Sequence, residues 1–196
     1  MKDKRKDKRD RRDKRGTRGT KGDVPYVSSL SVPRKREVKT IFVIDEIIAE
    51  DLEEALALVW KVFLAFEAPD YEEEGVQEFR RFIDFESIKQ KLERNEFHMW
   101  VCRDKEKIVG VLAIRPPCHI SLLFVDEKYH RMGIARKMLD HVICIYRQDN
   151  GLVEITVNSS PFAQEAYHRL GFRDTDVEKT VNGIRFVPML LTEPVA

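Results

Sequence analysis

Hydrophobic and polar residues fall into a readable pattern only from about Lys39 onward. The stretch Thr40-Ile-Phe-Val-Ile-Asp-Glu-Ile47 is a short, β-rich apolar run and predicts a strand. Leu52, Leu56, Val59 and Phe63 then recur at intervals of four, three and four, the spacing of one helical face over residues 51–66. Pro69 breaks that helix inside Glu67-Ala-Pro-Asp-Tyr-Glu-Glu-Glu74, and two more helical stretches follow at roughly 74–83 and 84–95. Strand candidates come next at 98–103, 108–114 and 119–125; charged residues separate the first two and Pro116-Pro117 the second two, so two hairpins are expected. Ile134, Met138, Val142 and Ile145 mark a helix over 132–147, and the β-branched run 152–157 a further strand. Ser160 caps and Pro161 opens a helix running to Leu170, which Gly171 closes. In the last stretch, 172–191, an Asn182-Gly183 pair lies between alternating apolar residues, the sequence of a tight hairpin. The order predicts an α/β fold with a mixed, mostly antiparallel sheet of seven strands, flanked by four or five helices.

Charge divides the chain differently from hydrophobicity. Of 35 basic and 34 acidic residues, 12 basic and 4 acidic lie in residues 1–22, giving that arm +8 and leaving the rest of the chain at −7. The arm has no apolar residue after Met1 and cannot bury anything against a core, so disorder is expected there. It reads either as a solvated leader or as an electrostatic tether making weak contact with nucleic acid or an anionic surface; no aromatic residue interleaves to stack on bases. Pro25, Pro33 and the Ser28-Ser29 pair mark a linker, so the expected organisation is a basic arm and linker over 1–40 and one globular domain over 41–196. The longest nearly apolar run, 108–114, is seven residues, whereas a membrane-spanning helix needs about 20. Neither a membrane protein nor a secretory leader is indicated, and three sparse cysteines suit free thiols in a reducing compartment, so a cytoplasmic location is expected.

Two segments carry chemistry. In Ile120–Leu139 an apolar strand enters a short polar loop and a periodic helix starts at once, with the loop reading Arg131-Met132-Gly133-Ile134-Ala135-Arg136. A helix start leaves four amides without partners and carries partial positive charge, and small residues let a phosphate approach; Arg131 and Arg136 add positive potential. The expected role is a pyrophosphate cradle. In Asn158–Phe172, Phe162, Ala163, Ala166 and Leu170 form one helical face and put Tyr167 at its edge.

Together these segments resemble the GNAT superfamily of acyl-coenzyme A dependent N-acetyltransferases. His130 to Ala135, HRMGIA, matches the family's Gln/Arg-x-x-Gly-x-Gly/Ala loop, with His130 where Gln or Arg is usual. The strand before it reads LLFV, and Tyr167-His-Arg-Leu-Gly171-Phe172 matches a Tyr-x-x-x-Gly-Phe signature 34 residues beyond Gly133. The resemblance implies a GNAT-like fold and acetyl-coenzyme A as cosubstrate. It implies that Leu123, Phe124 and Val125 lie on a splayed strand pairing with the pantetheine arm, that Arg131, Met132, Gly133, Ile134, Ala135 and Arg136 hold the pyrophosphate, that Asn158 contacts the coenzyme arm, and that Tyr167 protonates the departing thiolate. The activity implied is acetyl transfer to a primary amine by direct attack, the acceptor being a small molecule or a protein; dimers are common among such proteins, so a homodimer is open.

The general base is not evident from the sequence. Glu72, Glu73 and Glu74 in the loop after the first helix and His119 at a strand start are candidates, and a water chain to bulk would serve instead of either. His141 and Cys144 are two potential metal ligands three residues apart, and zinc needs three or four, so no metal is expected. Cys118 has no recognisable His or acid partner for nucleophilic catalysis. Two rival readings remain: an inactive acyl-coenzyme A sensor, and a nucleic-acid-associated protein tethered by its basic arm.

Overall fold

The computed structural model describes residues 41–150 and 153–193. The expected basic arm and linker, 1–40, lie outside the described residues. The chain runs β1 (Phe42–Glu46), α1 (Leu52–Phe66), α2 (Glu73–Phe82), α3 (Phe85–Glu93), β2 (His98–Asp104), β3 (Lys107–Arg115), β4 (His119–Val125), α4 (Ile134–Asn150), β5 (Val153–Ser159), α5 (Gln164–Leu170), β6 (Arg173–Asp174), β7 (Lys179–Val181) and β8 (Ile184–Glu193). Single 3-10 turns precede α1, α2 and α4. The sheet follows the order β1-β2-β3-β4-β5-β8-β6, with β7 added to β8. Every pairing is antiparallel except β4 with β5.

The expected mixed sheet with five α-helices is therefore present, with two-residue β6 as an eighth strand. Both middle hairpins form, and Asn182 (φ 51°) and Gly183 (φ 75°) make the turn between β7 and β8. Two boundaries shift for identifiable reasons. The helix expected from Met132 begins at Ile134, because Arg131 (φ 62°) and Gly133 (φ 79°) are left-handed and interrupt the helical path. The helix expected from Pro161 begins at Gln164; Ser160 caps a tight turn instead, its carbonyl accepting from the amides of Ala163 and Gln164 and its hydroxyl from Ala163 at 3.3 Å.

The sheet separates two cores. Leu52, Val59 and Phe63 of α1 and Ile88 of α3 pack with Met99, Val101, Val111, Leu122 and Phe124. Ile134, Met138 and Val142 of α4 and Tyr167 and Leu170 of α5 pack with Leu112, Ile120, Ile155 and Met189. β3, covered on both faces, is buried throughout its interior from Ile108 to Ile114, and its continuous apolar run reflects this. Among the described residues no helix is long and apolar enough to cross a membrane.

Candidate active site

The site begins as a fault in the sheet. β4 and β5 pair only through His119↔Thr156 and Ile120↔Val157, and then part. The register of β4 against β3 slips at the same place: Ile114 pairs with Ile120 but Ala113 with Leu122, so Ser121 is an extra residue in a bulge. A bulge bends its strand and increases the local twist. It also turns the strand over: Ile120 faces the α4–α5 core, whereas Leu122 and Phe124, two and four positions on, join the α1–α3 core. Past Ile120, the β5-facing edge of β4 has no strand partner, and a wedge opens. Within it lies a cavity of about 470 Å³ lined by Ser121, Leu123, Phe124, Asn158, Ser159, Ser160 and Tyr167, among others.

Beyond β4 the chain makes a loop shaped for an anion. His130 donates from Nε2 to the Val125 carbonyl at 2.9 Å, and its ring lies 5.2 Å from that of Phe66. Asp126, 1% exposed, accepts from Lys61 at 3.0 Å, from Lys107 at 3.4 Å and from the Lys128 amide at 3.0 Å, which anchors the loop to α1 and β3. The first backbone bond closing the following turn runs from Lys137 to Gly133 at 3.0 Å, so the amides of residues 133–136 are left for an outside acceptor. A Cβ placed on Gly133 would meet nothing within 4 Å, so open space stands in front of these donors. Left-handed residues alternating with right-handed ones turn successive amides to one side, the arrangement that cradles phosphates. The loop thus fits a diphosphate. Ile134 contributes only its backbone, its side chain being 1% exposed, while Met132 is 45% exposed. The Arg136 guanidinium turns away, donating to the Arg169 carbonyl at 2.8 Å, while Arg131 forms no ion pair among the described residues.

Glu67 is the residue that sequence reasoning passed over. It ends α1, its amide bonded to the Phe63 carbonyl at 2.9 Å, and lines the cavity with Tyr167 and Tyr71. Burial pushes its carboxyl up to about 7, opposed by a hydrogen bond from Ser160. Its position at the negative end of a helix acts in the same direction. Tyr167 is 7% exposed, with its ring edge-on to Phe172 at 5.2 Å. Burial raises its hydroxyl well above the usual phenol range, and the negative charge of Glu67 raises it further, so the two groups are electrostatically coupled.

The sequence-based candidates divide sharply. Tyr167, Asn158, Leu123 and Phe124 share the cavity wall; Val125 and residues 131–136 lie past it, towards the α4 turn. Glu72, Glu73 and Glu74 are exposed and do not line the cavity. His119 does line it, bonded through Nδ1 to Thr156 Oγ1 at 2.8 Å, and burial with the nearby Arg115 cation holds its pKa low. The Cys118 thiol is pushed up to about 11 by burial and stays protonated at neutral pH. Among the described residues no three His, Cys, Asp or Glu side chains gather to hold a metal ion. One sequence feature does set Glu67 apart, as an acid at a helix C-terminus just before Ala-Pro, where the helix dipole disfavours it.

Comparison with known proteins gives the family. The acetyltransferase (GNAT) domain model matches residues 67–193, and the chain belongs to that family. No curated protein matches the sequence. Among solved structures, it is similar to a GCN5-related N-acetyltransferase from Rhodopseudomonas palustris, at 19% identity and TM-score 0.66, covering 76% of this chain and 93% of that one. It is also similar to the PaiA N-acetyltransferase from Thermoplasma acidophilum in complex with coenzyme A, at 16% identity and TM-score 0.65, covering 76% and 98%. An aminoglycoside 6'-N-acetyltransferase complexed with coenzyme A matches at 13% identity and TM-score 0.55, covering 76% and 96%.

Proposed function

We propose that this protein transfers an acetyl group from acetyl-coenzyme A to a primary amine, with Glu67 as general base and Tyr167 as general acid. The observation that carries the reading is that Glu67 and Tyr167 line one cavity at the point where β4 and β5 separate. When bound, acetyl-coenzyme A supplies the acetyl group as an activated thioester. The amides of residues 133–136 would hold its diphosphate, and the unpaired edge of β4 would orient its arm.

An alkylamine with a pKa near 10.4 is protonated at neutral pH, and freeing it costs about 4 kcal/mol. Glu67, poised at about 7, can take that proton at its carboxylate. Tyr167 keeps its own proton in the resting site, because burial and the Glu67 charge both favour the neutral phenol. Once Glu67 is protonated, its charge no longer opposes ionisation of Tyr167, so the phenol becomes the stronger acid as the thiolate departs. The transfers balance: the ammonium loses one proton to Glu67, the freed amine gains the acetyl carbon, the sulfur loses that carbon and gains a proton from Tyr167, the nitrogen's second proton passes to the Tyr167 phenolate as the amide forms, and Glu67 releases the first to solvent.

The test is thiol release from acetyl-coenzyme A across a panel of amines, alongside calorimetric titration of the coenzyme. Turnover on at least one amine supports the reading. Coenzyme binding without turnover on any amine favours an acyl-coenzyme A sensor instead.

A further inference from the structure

The acceptor side of the cavity is mostly aromatic. Phe79 and Phe82 of α2, Phe124 of β4, Tyr71 and Phe186 all line it. Phe79 lies 5.9 Å from Phe124 and 6.2 Å from Phe82, ring centre to ring centre, so these form one continuous apolar surface. Such rings offer large contact area to a flat or bulky hydrocarbon and little to a heavily hydrated one.

The charges on the wall are few and unequally placed. Glu78 is neutralised by Arg81 at 2.5 Å, which leaves Glu67 as the wall's unpaired carboxylate. Arg115, exposed at the end of β3, forms no ion pair among the described residues and pairs in the sheet with His119, which burial and this cation keep neutral. The site therefore has one buried acid to receive an ammonium, aromatic rings, and a cation at the rim. A diamine or polyamine seated with one nitrogen at Glu67 finds as second carboxylate on the wall only Glu78, already paired with Arg81, and meets Arg115.

Resting on the acetyltransferase reading above, we infer that the acceptor is a monoamine whose amine is carried on an aromatic-sized apolar body, and that Arg115 selects against a second cation. The test measures kcat/KM for acetyl transfer to phenethylamine, cadaverine and spermidine. Phenethylamine is expected to exceed both polyamines at least about ten-fold. Phe82→Ala is expected to lower the phenethylamine value about five-fold. Arg115→Glu, a surface change that leaves the core intact, is expected to raise the ratio of the cadaverine value to the phenethylamine value about ten-fold, since the reversed rim charge attracts the second cation. Preference for spermidine or cadaverine, or an Arg115→Glu variant with that ratio unchanged, overturns the inference while leaving acetyl transfer standing. If no amine turns over, the same panel is titrated onto the coenzyme A complex: binding of phenethylamine alone supports the acceptor class while acetyl transfer fails, and absent or polyamine-selective binding overturns the inference.

Discussion

Gly75 and Gly183 meet backbone to backbone: a Cβ built on Gly75 would stand 2.2 Å from the Gly183 carbonyl oxygen, and one on Gly183 would stand 2.5 Å from the Gly75 nitrogen. This contact seats the β7–β8 hairpin on the first turn of α2, and Tyr71 ties it a second time by donating to the Arg185 carbonyl at 3.1 Å. Both sides of the cavity wall, Phe79 and Phe82 from α2 and Val181, Asn182 and Ile184 from the hairpin, take their spacing from it. We expect Gly75→Ala to cost about 1–3 kcal/mol of stability by overpacking. It should raise KM for the amine several-fold with KM for acetyl-coenzyme A unchanged, because the 130–136 loop lies outside this wall. Steady-state kinetics with each substrate varied in turn check the split.

Glu67 sets the expected pH dependence of catalysis. As a base with a carboxyl near 7, it is active only when ionised, so kcat/KM should rise with pH through about 7. Glu67→Gln should lower turnover about 100-fold and flatten that limb of the profile. A limb that survives the substitution assigns the proton to another group.

The same substitution has a consequence for stability that needs no substrate. A carboxyl raised from 4.5 to about 7 in the folded state favours folding fully below pH 4.5, and this contribution is lost as pH rises through 7. Glu67→Gln and the parent should therefore be equally affected at low pH. Above pH 7 the variant should be the more stable, by roughly 1–3 kcal/mol. Urea denaturation at pH 4 and pH 8 measures the difference.

Tyr167→Phe removes only a hydroxyl and keeps the ring packed against Phe172. Turnover should fall about 10- to 100-fold while the coenzyme dissociation constant stays within about two-fold. Unchanged turnover would remove Tyr167 from the mechanism.

Gly133 has φ of 79° with open space before it, so Gly133→Ala adds backbone strain rather than a clash. About 1–2 kcal/mol is expected from forcing a side chain into this conformation. Calorimetry should show coenzyme A affinity reduced about ten-fold, with kcat at saturation little changed.

What was legible in the sequence was whatever periodicity or turn chemistry encodes locally. β4 appears where the apolar run put it, at His119–Val125, and the Asn182-Gly183 turn joins β7 to β8. The grouping of Tyr167 with Asn158 and Leu123 followed from ordered motifs in the right structural context. The proposed base was not legible, because the choice between Glu67 and the run Glu72–Glu74 depends on which acid the fold withdraws from water. The Gly75–Gly183 contact was equally hidden, since it joins positions more than 100 residues apart and neither glycine alone signals a partner.

The single surplus residue at Ser121 reverses the phase of everything after it in β4. Excising it would join Ile120 directly to Leu122, opposite the adjacent Ile114 and Ala113, and so restore strict alternation with Leu122–Val125 still on their present faces. A one-codon deletion here is therefore compatible with both cores, whereas one later in the strand would carry every residue after it to the wrong side.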